Sequence, residues 1–248
     1  MKEKEIILVT PRRDGITCES IESERQRAQW LSNSRVTELP PEIQVKVLEA
    51  PYDVVRARSL AVAHAMREFP DALGILWWDS DTIAPSLQTP TRLLASGHAV
   101  VGCPVPRKKI VRWGNEREAC DFAYRMHGAD GGTVTVSADE HNCVEVSALP
   151  FGLMWTSMPA LRRMVDFYRD DLWFTEGGQE AVALFALKMT TQQRATDGTR
   201  WRQMLSEDYS FQERWRVLGG KVYMLLEPCI HVGSHRFVGH LDGLKHVR

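Results

Sequence analysis

The segment LGILWW at residues 73–78 constrains the chain most: an apolar run of strand length that stops at Asp79. A strand with no polar face reads as a central one, covered by helices on both sides, as in parallel sheets. The neighbouring segments agree. Residues 6–10 read as a strand closed by Pro11, 20–33 as a helix with its acids early, and 43–48 as a second strand. Residues 53–69 place Val54, Val55, Leu60, Ala61, Ala65 and Phe69 at helical intervals ahead of Pro70. Residues 87–96 read as a short helix with Gly97 as its C-cap, and 99–103 as a strand before Pro104 and Pro106. This alternation is the signature of βαβ units.

The second half differs in texture. Residues 133–136 and 143–147 alternate around a turn-prone stretch and predict a hairpin, 149–156 predicts another strand, and Ser157 is placed to cap a helix over 158–168. Residues 190–202 are polar, contain Gly198 and lack periodicity, which predicts a mobile loop. Ser206 then caps a helix with Phe211, Trp215 and Leu218 on one face, closed by Gly219 and Gly220, and 221–226 is a last strand. No repeat or low-complexity linker separates the halves, so the expectation is one α/β domain over 1–248 with a central, mostly parallel sheet flanked by helices and a small antiparallel hairpin.

A chain of 248 residues, 44% apolar, buries a core without staples. Its five cysteines are an odd number with no CxxC, which argues for reduced thiols and against a disulfide framework or a zinc ribbon. A net charge of -1 gives no general attraction to nucleic acid or anionic membrane, so a polyanion site would have to be a local patch. No stretch approaches the roughly 20 apolar residues of a membrane span, and the N-terminal MKEKEIILVTPRR has no signal-peptide h-region. A cytoplasmic protein is expected.

Asp79-Ser80-Asp81 carries the chemistry. Two acids one residue apart, directly after a buried strand, sit at the carboxyl end of a parallel sheet, where open α/β folds bind ligands. They could hold Mg²⁺ or Mn²⁺ through oxygens, with phosphates and water completing the shell. Arg107, Lys108, Lys109 and Arg112, with Trp113, form a basic cluster beside an aromatic, suited to a phosphate backbone or a diphosphate.

Strand, DxD, Pro, short helix, strand and then Gly102-Cys-Pro-Val-Pro-Arg-Lys-Lys109 resembles the nucleotide-sugar-binding half of GT-A (Rossmann-like) glycosyltransferases, the compact bacterial and bacteriophage ones in particular. The resemblance continues through Val55-Arg-Ala-Arg58, with Ser59 where Asn is usual, residues 146–154, Ser206-Glu207-Asp208 and Pro228-Cys-Ile-His231-Val-Gly233. It implies a nucleotide-sugar-binding half at 1–115, and an acceptor half at 116–248 that ends in a metal-ligand segment. Thr10, Pro11, Arg12, Arg58, Asp79, Ser80 and Asp81 would bind the nucleotide sugar, a UDP-sugar above all. Asp81, His231 and Asp79 would bind the metal. Asp208 would be the general base, with Glu207 beside it. Gly152, Trp155, Trp173, Lys108, Lys109 and Arg112 would meet the acceptor.

The implied activity is metal-dependent, inverting transfer of a hexosyl or pentosyl group to an acceptor hydroxyl. A hydroxymethylated pyrimidine in phage DNA is one acceptor class, and a glycan or protein is another. Two further readings stand beside it: a haloacid-dehalogenase-like phosphohydrolase using the first Asp as nucleophile, and a nucleotide-binding module without catalysis.

Overall fold

A computed structural model describes residues 4–11, 18–32, 43–50, 53–113, 117–126, 136–193, 198–232 and 236–238. Seven strands make its central sheet: β1 (Lys4–Pro11), β2 (Ile43–Ala50), β3 (Gly74–Trp78), β5 (Val100–Gly102), β8 (Cys143–Val146), β9 (Leu153–Ser157) and β14 (Val222–Leu225). Their order is β2-β1-β3-β9-β5-β14-β8. Pairing is parallel for β1 with β2 and β3 and for β5 with β14, whereas β9 and β8 run against their neighbours. The sheet is therefore mixed and mostly parallel, and it draws strands from both halves of the chain.

Period-two alternation sorts the core. Ile7, Val9, Ile75 and Trp77 face one side, under α2 (Val54–Glu68), α4 (Met158–Leu172) and α5 (Glu207–Val217). Ile6, Leu8, Leu76 and Trp78 face the other, under α1 (Cys18–Ser32) and α3 (Thr89–Ala95). Cover on both faces explains why residues 74–78 are all buried and why no polar residue interrupts them. Asp53 starts α2 by accepting from the Arg56 N–H at 3.2 Å, and Ser157 starts α4 by accepting from the Ala160 N–H at 3.4 Å. Gly74 is required by close approach: a Cβ there would lie 2.3 Å from the Thr156 carbonyl oxygen and 2.6 Å from the Trp155 ring.

Small antiparallel units decorate this sheet. β4 (Thr82–Ile83) pairs with β15 (Ile230–Val232), which pairs with β16 (Arg236–Val238). β6 (Pro106–Trp113) pairs with β7 (Arg117–Phe122), β10 (Trp173–Glu176) with β11 (Gln179–Val182), and β12 (Lys188–Gln193) with β13 (Arg200–Leu205).

One expectation is corrected here. The strand at 143–146 joins the central sheet against β14; its expected hairpin partner at 133–136 lies outside the described residues except for Val136. The predicted loop at 190–202 is not irregular: its residues 190–193 and 200–202 belong to the β12–β13 hairpin. Its strands, KMTTQQ and RWRQML, pack too little apolar surface to alternate visibly, so periodicity could not report them. Among the described residues no helix is long and apolar enough to cross a membrane.

Candidate active site

The turn after β3 is clamped from three directions. From the sheet, the Asp79 N–H donates to the Gly152 carbonyl at 2.9 Å. A Cβ on Gly152 would come within 2.8 Å of both Thr82 Oγ1 and Val105 Cγ2, so this glycine lets the β9 approach pack against the turn. From α1, Ser23 Oγ donates to the Thr82 carbonyl at 2.6 Å, Arg27 reaches the Asp79 carbonyl at 3.4 Å, and Gln26 binds both the N–H and the carbonyl of Ala84 at 2.8 and 2.7 Å. From the C-terminal segment, the Val232 N–H donates to the Asp81 carbonyl at 2.8 Å, which brings His231 opposite Thr82. Ser23, Gln26 and Arg27 were not anticipated. Their signal is polar side chains at helical spacing on the face that also buries Trp30.

Behind the turn lies a buried cation. Arg58 on α2 is 1% exposed; its guanidinium donates to both Asp79 oxygens at 3.1 Å and to Asp208 Oδ1, with Glu207 Oε1 at 3.7 Å. It stacks over Phe151 and Phe185, 5.0 and 5.7 Å from the ring centroids. Its Nε is buried without a partner. Burial alone would lower the Arg58 pKa, but Asp208, Asp79 and Glu207 outweigh it and raise it. The resemblance places Arg58 at the nucleotide sugar; in the structure its side chain is enclosed among the acids it pairs with.

Asp79 is accordingly pushed up to about 6, first by burial and then by the charges of Asp81 and Asp208, against the pull of Arg58. Burial, then Asp208, also raises Glu207. Asp208 is engaged on both oxygens, Oδ1 by Arg58 and Oδ2 by the Phe151 N–H at 3.3 Å.

In front of the turn, Asp81 faces the opposite environment. Burial pushes its carboxyl up, but hydrogen bonds and charge from His231 and Lys108 overcome this and hold it down at about 2. Lys108 Nζ donates to Oδ2 at 2.7 Å, and His231 Nε2 stands 3.3 Å from the same oxygen. Lys108, expected among acceptor contacts, is thus on the acid of the DxD turn. The other nitrogen of His231, Nδ1, is 2.7 Å from the Pro106 carbonyl oxygen. A carbonyl only accepts, so Nδ1 carries the hydrogen, and Nε2 either donates a second hydrogen to Asp81 or offers its lone pair to an ion held between them.

Two acceptors 3.3 Å apart need a proton or a cation between them. Orientation of an imidazole by a carbonyl at its far nitrogen is also how metal-ligating histidines are held. Asp81 and His231 therefore fit a divalent ion, imidazole suiting Mn²⁺ better than Mg²⁺. Asp79 does not complete a tight set: among the described residues, Asp79, Asp81 and His231 do not bring one ligand atom each within 4.8 Å of one another, and a different group does. Both Asp79 oxygens accept from Arg58.

The remaining predicted residues divide. Thr10 and Pro11 end β1, alongside the end of β3, and Ser80 is half-buried in the turn. Arg12 lies outside the described residues; Lys109 and Arg112 are on β6, their side chains outside the described ones. Trp155 is a core residue, 6% exposed beside Gly74, with no free face for stacking. Trp173 is 60% exposed on β10 and lines a cavity of about 290 Å³ with Val62, Met66, Val165, Arg169 and Val182; Asp79, Asp81, Glu207 and Asp208 do not line it.

No family model matches the chain, and no curated protein matches it in sequence. Among solved structures, A197 from STIV is similar over 98% of this chain and 98% of its own, at 11% identity and a TM-score of 0.47. A glycosyltransferase involved in the glycosylation of the major capsid of PBCV-1 is similar over 69% of this chain and 71% of its own, at 12% identity and a TM-score of 0.34. The 4-diphosphocytidyl-2C-methyl-D-erythritol synthase of Anaerococcus prevotii is similar over 71% and 79%, at 9% identity and a TM-score of 0.35.

Proposed function

We propose that the protein transfers a glycosyl group from a nucleoside-diphosphate sugar to an acceptor hydroxyl, with Mn²⁺ or Mg²⁺ held by Asp81 and His231. The observation that carries this reading is the facing pair itself: a carboxylate and an oriented imidazole nitrogen at the carboxyl end of β3, with Lys108 on the same oxygen. A bound divalent ion would neutralise charge on the departing diphosphate. Lys108 supplies further positive charge there, and Thr10, Pro11, Ser80 and Asp79 stand where a nucleotide enters at the sheet edge.

For the proton, the two acids at the start of α5 are not equivalent. Asp208 is occupied by Arg58 and the Phe151 N–H, so it fixes the helix start. Glu207, with its raised pKa and 24% exposure, is the better proton acceptor. In one displacement the acceptor oxygen bonds to the anomeric carbon, its proton passes to Glu207, and the bond from that carbon to the diphosphate breaks. This inverts the configuration, which NMR of the product reads.

The phosphohydrolase reading asks Asp79 to be a free nucleophile, and Arg58 on both its oxygens argues against that. For the acceptor, Lys108 belongs to the diphosphate side, which leaves the basic contacts of a DNA reading to Arg107, Lys109 and Arg112. That reading requires salt-dependent retention on hydroxymethylated duplex; transfer to a soluble glycan without such retention would replace it. Calorimetry with UDP and GDP tests the core of the proposal. Binding that strengthens at least tenfold with Mn²⁺ and is lost in Asp81→Asn is expected; nucleotide binding indifferent to both contradicts it.

A further inference from the structure

Three donor atoms from two distant segments converge on residues that the proposed reaction does not use. His98 follows α3 across Gly97, and its ring stacks on Tyr223 of β14 with centroids 3.6 Å apart and planes 9° from parallel. His98 Nε2 meets Asp139 Oδ2 at 2.6 Å. The other Asp139 oxygen accepts from the N–H groups of His141 and Cys143, both at 2.9 Å, which closes the turn leading into β8. Cys143 opens that strand as a free thiol, 1% exposed, with a weak contact from Sγ to the His141 carbonyl at 3.7 Å. One ligand atom from each of His98, Asp139 and Cys143 lies within 4.8 Å of the other two; among the described residues this is the group with that property.

We infer that His98, Asp139 and Cys143 form a Zn²⁺ site, separate from the Asp81–His231 pair. The donor mixture selects the ion. Nitrogen, sulfur and one carboxylate oxygen suit borderline-soft Zn²⁺, whereas Mg²⁺ and Ca²⁺ take oxygens. Each donor is set by contacts that need no ion: His98 by its stack on Tyr223, Asp139 by two backbone N–H groups, and Cys143 by the β8 ladder. Preorganisation of this kind reduces what binding must order. A hydrogen-bonded His98–Asp139 pair alone would leave the buried thiol with only its weak carbonyl contact. His98 and Asp139 are 19% and 32% exposed, so the fourth position opens to water. On binding, the Cys143 thiol loses its proton, and the imidazole proton moves from Nε2 to Nδ1 to free the lone pair. The ion would tie the α3–β5 junction to the turn before the edge strand β8.

Co²⁺, added alone to the full metal-free chain, is the direct probe. The expected result is a near-ultraviolet thiolate-to-cobalt band with tetrahedral visible bands that saturates at one ion per chain in Asp81→Asn, which lacks the other proposed ligand pair, and is displaced by Zn²⁺. Cys143→Ser should abolish the thiolate band. His98→Gln, at a partly exposed position that leaves the β8 turn intact, should weaken Co²⁺ by about tenfold or more with unchanged circular dichroism. Cys103→Ser, Cys229→Ser and Asp81→Asn should keep the band, so failure here is distinct from failure of the glycosyltransferase reading. Absence of a thiolate band in the parent chain, or its survival in Cys143→Ser, would overturn the site.

Discussion

Asp79 and Asp81 stand one residue apart on the same turn, and the structure sends them into opposite regions. Behind the turn, Asp79 meets a guanidinium sealed under Phe151 and Phe185, shared with Asp208 and Glu207. In front, Asp81 meets an exposed ammonium and an oriented imidazole. The inner region is a buried ionic knot, and the outer one is the cation site proposed above. A motif that reads as a pair of equivalent acids is therefore one acid anchored to Arg58 and one facing Lys108 and His231, divided by which way each side chain leaves the turn.

Removing the centre of the inner knot should have the largest effect. Arg58→Leu leaves three acids around an apolar side chain, and loss of one partner from a buried ionic cluster costs about 3–5 kcal/mol. Urea denaturation should show this, with Arg58→Lys recovering part of the loss. Lys108→Ala, by contrast, removes a 39% exposed ammonium and should change stability by less than about 1 kcal/mol. Equal effects of the two substitutions would erase the distinction between the regions.

The pH dependence of the metal-free protein should sharpen it. Asp79 has a raised pKa in the folded chain, about 6, against about 3.9 unfolded. Between those values the folded protein binds more protons, so stability falls as pH rises from about 4 to 6. Asp79→Asn should remove on the order of 2 kcal/mol of that slope. Asp81 is shifted the other way, to about 2, so its contribution is present above about 4 and lost as pH falls toward 2. Asp81→Asn should flatten that acid limb by about 1 kcal/mol, a smaller figure because the side chain is 38% exposed. Thermal melts from pH 2 to 7 check both.

Much of this architecture was legible, because period and burial leave marks in sequence. The run at 73–78, the strand at 6–10, the helical spacing over 53–69 and the cap Ser157 all predicted what is observed. Short hairpins whose strands carry few apolar residues in alternation left no such mark, which is why β6–β7, β10–β11 and β12–β13 were missed or read as loop. At the site, the family resemblance grouped Asp79, Asp81, Glu207, Asp208 and His231. Spacing could not show that Arg58 turns inward, that Trp155 lies over Gly74, or that Lys108 reaches Asp81, since those depend on rotamers and on contacts between segments distant in the chain.

A smaller effect separates competition from ligation in the outer region. Lys108 and a metal ion claim the same Asp81 oxygen, so Lys108→Ala should raise the Mn²⁺ affinity of the nucleotide-free protein several-fold, while His231→Gln should lower it about tenfold. Titration followed by water-proton relaxation would show the two shifts; a weaker affinity in Lys108→Ala would mean that the ammonium supports the ion rather than standing in for it.

The division between the two acids is tested most directly by Mn²⁺ binding to Asp79→Asn and Asp81→Asn, followed by electron paramagnetic resonance of the free ion. Mn²⁺ prefers oxygen and imidazole donors, which keeps the thiol-containing group at Cys143 out of the measurement. The structure predicts that Asp81→Asn abolishes binding and that Asp79→Asn leaves the dissociation constant within about threefold of the parent, a change below about 1 kcal/mol. Loss of binding in both variants alike would contradict the account, because Asp79 would then be a ligand and not the anchor of Arg58.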